Sequence, residues 1–169
     1  AQGELETNNR FDYRYDEQGR KVWMQHRVTT PDGNQKGRIE NTYAYDSLGR
    51  ETEQSIRSFD AGDRLQFHNV NRFVLDELGR KKEMEFLSRN ADGEVASHRI
   101  TRYEYDERGL LVGEELLDAD RKLQSRMEKV YDADRDLVEE RYILYGPDGR
   151  ETGRSGQVYD KRGRLIRQY

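Results

Sequence analysis

With 169 residues, 33% of them hydrophobic and 38% charged, the chain has the size of one domain but too little apolar material for a thick core. Its 30 basic side chains nearly cancel 34 acidic ones, leaving a net charge of −4, and this removes the basic excess that a nucleic-acid groove needs to displace counterions. No apolar run approaches the length of a membrane-spanning helix, and the absence of cysteine excludes a disulfide scaffold and a cysteine-based zinc site.

High charge with few apolar residues is also the composition of disordered chains. Eleven Tyr, five Phe and only two Pro oppose that reading, and the order of the residues decides against it. The chain opens on Ala1-Gln2-Gly3, small and polar, without the apolar segment of a signal peptide. This fits a chain from which an export signal has been removed, so an extracytoplasmic location is the expectation.

From Tyr13 onward the sequence repeats itself. Tyr13-Arg14-Tyr15-Asp16-Glu17-Gln18-Gly19-Arg20 recurs as Tyr43 to Arg50, as Phe73 to Arg80 and as Tyr103 to Leu110, 30 residues apart each time. Shorter copies follow at Tyr131-Asp132 and at Tyr159 to Arg164, with spacings of 26 and 28. The units are 13–42, 43–72, 73–102, 103–130, 131–158 and a partial 159–169, together one repeat domain over 1–169.

Each motif reads as a turn. The aspartates Asp16, Asp46, Asp76, Asp106 and Asp160 can accept hydrogen bonds from backbone N–H groups just ahead, while Gly19, Gly49, Gly79, Gly109 and Gly163 take the positive φ that closes a hairpin. A second turn signal lies halfway through each unit, at Pro31-Asp32-Gly33, Asp60-Ala61-Gly62-Asp63, Asp92-Gly93, Asp118 to Arg121 and Pro147-Asp148-Gly149. One unit is therefore two strands and two turns.

Between turns the residues alternate with a period of two, the mark of strands. Val22, Met24, His26 and Val28 share one side, opposite Trp23, Gln25 and Arg27, and the apolar side continues as a column through Ile56, Phe86, Leu116 and Tyr142. The expected fold is all-β: an antiparallel meander of about 12 strands. At roughly 4.8 Å per strand such a sheet is too wide to stay flat, so it twists or curls as an open sheet, with a closed barrel or a sandwich as the alternative.

The motif Y-x-Y-D-x-x-G-R followed by an alternating strand resembles the YD repeats of Rhs and teneurin-type proteins, over Tyr13 to Arg164. The resemblance implies a repeat-built β shell and carbohydrate or cell-surface binding. The unit is longer than the usual repeat, and short, secreted bacterial YD-like proteins of unknown function are the nearer comparison.

The repeated aspartates are read as turn caps, because catalytic carboxylates need distinct environments rather than one environment repeated. Asp132-Ala133-Asp134-Arg135-Asp136 lacks the glycine and distal acid of a calcium loop, so neither metal nor cofactor is expected. No serine stands in an evident His/Asp arrangement, and no phosphate-binding glycine loop exists. His68 and His98, one repeat apart, lie too far from each other to share a metal.

Tyr13, Tyr43 and Tyr103 can stack on a sugar or a peptide, or fill the core of a thin sheet. Trp23 has no counterpart in the other units and is expected to be exposed opposite the apolar column, which makes it the best single contact for a partner. The reading is a non-catalytic extracytoplasmic module that binds a glycan, a cell-wall polymer or a protein, with self-association possible through open sheet edges. A scaffolding fragment of a larger Rhs-like shell and a cryptic hydrolase remain open as alternatives.

Overall fold

A computed structural model describes residues 7–169, so the opening Ala1-Gln2-Gly3 lies outside the described residues. Twelve strands run in chain order: β1 (Asn8–Tyr15), β2 (Lys21–Thr29), β3 (Gln35–Tyr45), β4 (Glu51–Asp60), β5 (Leu65–Leu75), β6 (Lys81–Asn90), β7 (Val95–Tyr105), β8 (Leu111–Leu117), β9 (Leu123–Tyr131), β10 (Leu137–Tyr145), β11 (Glu151–Tyr159) and β12 (Leu165–Gln168). Every strand pairs with its sequence neighbours in one antiparallel sheet, whose order begins at β1 and ends at β12. The sheet is not closed into a barrel, and the described residues contain neither a helix nor a second sheet. The barrel and sandwich alternatives are thereby set aside.

The connections share one geometry. The first turn residue donates its N–H to the carbonyl of the fifth, and the fourth donates back to the first, as in Asp16 N–H to the Arg20 oxygen (2.9 Å) and Gly19 N–H to the Asp16 oxygen (3.0 Å). The fourth position has positive φ throughout, from Gly19 at 78° to Gly163 at 72°. Asp63, Arg121 and Arg135 occupy it at 62°, 62° and 73°. In the turn after β4 it is therefore Asp63, and not Gly62, that reverses the chain. First positions recur at alternate intervals of 14 and 16 residues through the first three repeats, then at 12 and 14 in the fourth.

The same turn locks each repeat to the next. Asp16 Oδ1 accepts the N–H groups of Gln18 and Arg20, at 3.0 and 2.8 Å, and Oδ2 accepts Arg20 Nε at 2.7 Å. Held there, the Arg20 guanidinium lies 4.9 Å over the ring of Tyr45, whose hydroxyl donates to the Lys21 carbonyl at 2.7 Å. Asp76, Arg80 and Tyr105 repeat the arrangement, with the guanidinium 4.5 Å over the ring. Where Leu110 replaces the arginine, Tyr131 still donates to the Leu111 carbonyl at 3.1 Å. The second tyrosine and the arginine of the motif thus form the joint between hairpins.

Burial is thin and falls one residue away from the expected column. Among the described residues the buried apolar side chains are Val70, Ile100, Leu117 and Ile143, and none is below 2% exposed. His26, Ile56, Phe86 and Leu116 are half-buried and Tyr142 is 45% exposed, whereas their neighbours Gln25, Ser55, Leu117 and Ile143 are buried. The column's own face is buried at its small polar positions, since Asn41 stands opposite Ile56, and Thr101 and Ser125 stand opposite Leu116. On the other face arginine and glutamate stems lie over the sheet.

The chain divides into two compact units, one holding the described residues up to Phe73 with Glu85–His98, the other Val74–Met84 with Arg99–Tyr169.

Candidate functional site

In the first unit, cross-strand partners share a face, so the register assigns each side chain. Phe11 and Tyr13 stand opposite His26 and Met24, which stand opposite Ile39 and Asn41. Those in turn meet Ser58 and Ile56, followed by Phe67 and Asn69. Tyr43 faces Gln54, which faces Asn71. This is the aromatic face. Its interior positions carry rings, aliphatic groups and the amides of Asn41, Gln54, Asn69 and Asn71, with no carboxylate.

Phe11 and Tyr13 are each 49% exposed and Tyr15 is 59% exposed. The Phe11 ring stacks on His26 at 4.3 Å, and His26 Nε2 meets Asn9 Oδ1 at 2.8 Å. A β-bulge brings Lys21 opposite Tyr15, and its ammonium sits 4.6 Å over the ring of Tyr43. A hydrogen bond with the Tyr43 hydroxyl pushes the Lys21 pKa up, so this lysine stays charged. Further along the same face Gly37 opens a shallow depression of about 300 Å³ among His26, Val28, Ile39, Ser58 and Phe59. A Cβ on Gly37 would stand 2.9 Å from the Phe59 carbonyl oxygen, so only glycine keeps the strands at this distance.

The opposite face is built from ion pairs. Arg72 bridges Glu53 (2.9 Å) and Glu85 (3.3 Å), and Glu85 holds His98 Nε2 at 2.8 Å. Burial pushes the Glu85 pKa up, but His98 and Arg72 outweigh it and hold the carboxyl below its ordinary value. Arg38 lies 3.5 Å over the Phe59 ring and pairs with Glu40 and Asp63. In the second unit, Arg126 binds Glu104, Glu115 and Glu128. There Glu139 is pulled down to about 2, first by Arg141 and then by the Tyr169 hydroxyl.

The structure sorts the sequence candidates. Tyr13 and Tyr43 share the aromatic face on either side of β2, close to Lys21. Tyr103 lies in the second unit, half-buried beside a depression of about 310 Å³ that Val74, Lys82 and Glu115 also line. Exposure of Tyr13 and Tyr15 overturns a core role for them, since no residue of β1–β5 covers their face. Trp23 is half-buried, not exposed, because the Arg14 guanidinium covers its ring at 4.6 Å. It lies on the ion-pair face, away from Tyr13 and Tyr43.

Asp46 and Asp160 make the turn contacts described for Asp16 and Asp76, and Asp106 accepts the Leu110 N–H on Oδ1 and Arg108 Nε on Oδ2, with Gly49, Gly79, Gly109 and Gly163 at positive φ. No group of three His, Cys, Asp or Glu among the described residues could hold a metal.

One pairing lies beyond the reach of the sequence. Ser55 Oγ lies 2.7 Å from His68 Nε2, although no carboxylate among the described residues binds the other ring nitrogen. The signal is present in the spacing, since Ser55 and His68 lie on strands joined by one turn, but the contact is diagonal: the register puts Ser55 opposite Val70 and His68 opposite Arg57.

No protein-family model matches the chain, and no curated protein matches it. Among solved structures, the chain is similar to TcdB2-TccC3-Cdc42 at 14% identity and a TM-score of 0.32, covering 92% of this chain. It spans only 13% of that much longer chain. It is also similar to a protein with unknown function from Bacteroides fragilis NCTC 9343, at 10% identity and a TM-score of 0.27, over 95% of this chain and 91% of that one. At these scores neither likeness bears on function.

Proposed function

We infer that this chain is a non-catalytic binding module whose aromatic face takes an uncharged, hydroxyl-rich polymer, a neutral glycan of the kind found outside the cytoplasm. The observation that carries this reading is the composition of the face: exposed rings of Phe11, Tyr13 and Tyr15 beside a field of amides, with no carboxylate between the turns. Rings offer flat apolar area to the C–H side of a sugar, and amides both donate to and accept from hydroxyls. Exposed rings grouped on the edge strand of a highly charged protein favour a contact surface. A repeat sheet supplies area for such a contact and little catalytic concavity.

Retention of the full chain on immobilised neutral polysaccharides, among them a β-glucan, a mannan and a xylan, tests the reading. Wild-type protein should be retained on at least one, and Tyr13→Ala and Tyr43→Ala should each weaken binding about tenfold, in line with the value of a stacked ring. Trp23→Ala should leave it unchanged. No retention on any of the three, or equal loss in Trp23→Ala, would sink the proposal.

A further inference from the structure

On the ion-pair face of the first unit not every arginine has an acid: Arg14 lies over the Trp23 ring, and Arg27 donates to Gln25. Arg10 pairs with Asp12, Arg38 with Glu40 and Asp63, and Arg72 with Glu53 and Glu85. Arg57 pairs with nothing: it is exposed and makes no ion pair or side-chain hydrogen bond among the described residues. Its partner in β5 is His68, and its partner in β3 is Glu40, whose carboxylate is already shared by Arg38 (3.4 Å) and Gln25 (3.1 Å). On β6, the strand beyond His68, Arg89 is close enough to act on the imidazole, and among the described residues its guanidinium donates to the Gly93 carbonyl, at 3.1 Å.

Two arginines thus flank a histidine with no acid paired to any of the three. Two guanidiniums without a paired acid set up a positive field that favours an anion.

We propose that Arg57, His68 and Arg89, with the Ser55 hydroxyl, form a site for a tetrahedral oxyanion, a phosphate or a sulfate group. The two guanidiniums supply forked N–H donors suited to such an anion. Ser55 fixes the imidazole. When Nε2 carries a proton it donates to Ser55 Oγ, and the serine O–H is then released to point toward the anion. His68 is held neutral by burial, then by Arg57 and Arg89, with Glu53 opposing them more weakly. A bound anion reverses the sign of that field and favours the protonated ring. The site lies on the face opposite Tyr13 and Tyr43 and does not depend on the glycan reading.

The experiment titrates the full chain with inorganic sulfate and, separately, with inorganic phosphate, at ionic strength held constant with chloride, while NMR follows the imidazole protons of all three histidines. His68 should shift saturably while His26 and His98 stay in place, and its pKa should rise by about one unit with the anion bound. Arg57→Gln should weaken binding about tenfold, and Arg57→Lys should recover part of it. Arg10→Gln, on the same face but outside the site, should have no effect. Saturation by either anion supports the site, and the tighter of the two identifies the ester class. A shift linear in anion concentration, one matched by chloride alone, or full affinity in Arg57→Gln overturns the proposal.

Discussion

The two faces of β1–β5 are made from the same five strands, yet they solve the problem of a thin sheet in opposite ways. The ion-pair face is covered by its own side chains: Arg38, Arg72 and Glu53 lie across their neighbours, and Gln25, Ser55 and Val70 are buried beneath them. The aromatic face has the greater apolar content, and its open rings are gathered on the edge strand: Phe11, Tyr13 and Tyr15 of β1 are exposed, whereas Asn41 is buried and Tyr43, Ile56 and Phe67 are half-buried. An edge strand has a neighbour on one side only, so its rings keep more of their surface in water than the same residue types further in.

Acid is the broadest way to break this contrast. The carboxyls of Asp16, Asp76 and Asp106 lie below their ordinary values because hydrogen bonds from the turn outweigh the effect of burial, and Asp46 and Asp160 are lowered as well. Glu85 and Glu139, both held by arginines, are lowered too. A carboxylate depressed in the folded state contributes stability that is present above its unfolded pKa of about 4 and is lost as pH falls through its folded value. The denaturation midpoint should therefore be flat above about pH 7, fall slightly below that as unfolding lets His68 take up a proton, and decline steadily below about pH 4. A midpoint indifferent to acid would show that the ion pairs and turn caps contribute nothing.

Core deletions come next. Leu117→Ala removes one of the few buried apolar side chains and should cost about 3 kcal/mol in urea denaturation, whereas Ile39→Ala on the aromatic face should cost less than about 1 kcal/mol. Equal costs would mean that the aromatic face is covered in solution. A smaller effect separates the tyrosines. Tyr45→Phe loses the bond to the Lys21 carbonyl and should cost about 1 kcal/mol, while Tyr13→Phe should be neutral in stability. The smallest effect has the opposite sign: Arg135→Gly relieves a left-handed backbone at an exposed position and should stabilise by about 0.5 to 1 kcal/mol. Arg121→Gly should yield less, because it also removes the charged hydrogen bond to Glu83.

Strand count, pairing and turns can be read from the sequence because aspartate and glycine mark each reversal by local chemistry, which needs no knowledge of distant residues. The choice of buried face cannot. Alternation says that Gln25 and His26 point in opposite directions, but which of them is covered depends on Arg27 beside it and on Glu40, which only the register places opposite the Gln25 amide. The cover over Trp23 is hidden for the same reason, since it comes from Arg14 on the neighbouring strand. The role of Asp63 is masked by Gly62 beside it, the residue type that ordinarily supplies positive φ.

The interval between reversals has a consequence for how such a chain can change in length. From Asp46 to Asp60 is 14 residues and from Asp106 to Asp118 is 12, and the following intervals are 16 and 14, so each strand of the shorter repeat has lost two positions rather than one. A single deletion would turn every later side chain in that strand inside out, exchanging an aromatic-face ring for a salt-bridged arginine, whereas a double deletion only shortens the strand. Variants made by removing or adding residue pairs next to a turn should keep the pattern of both surfaces, and a designer can adjust strand length in steps of two without redrawing the sequence around it.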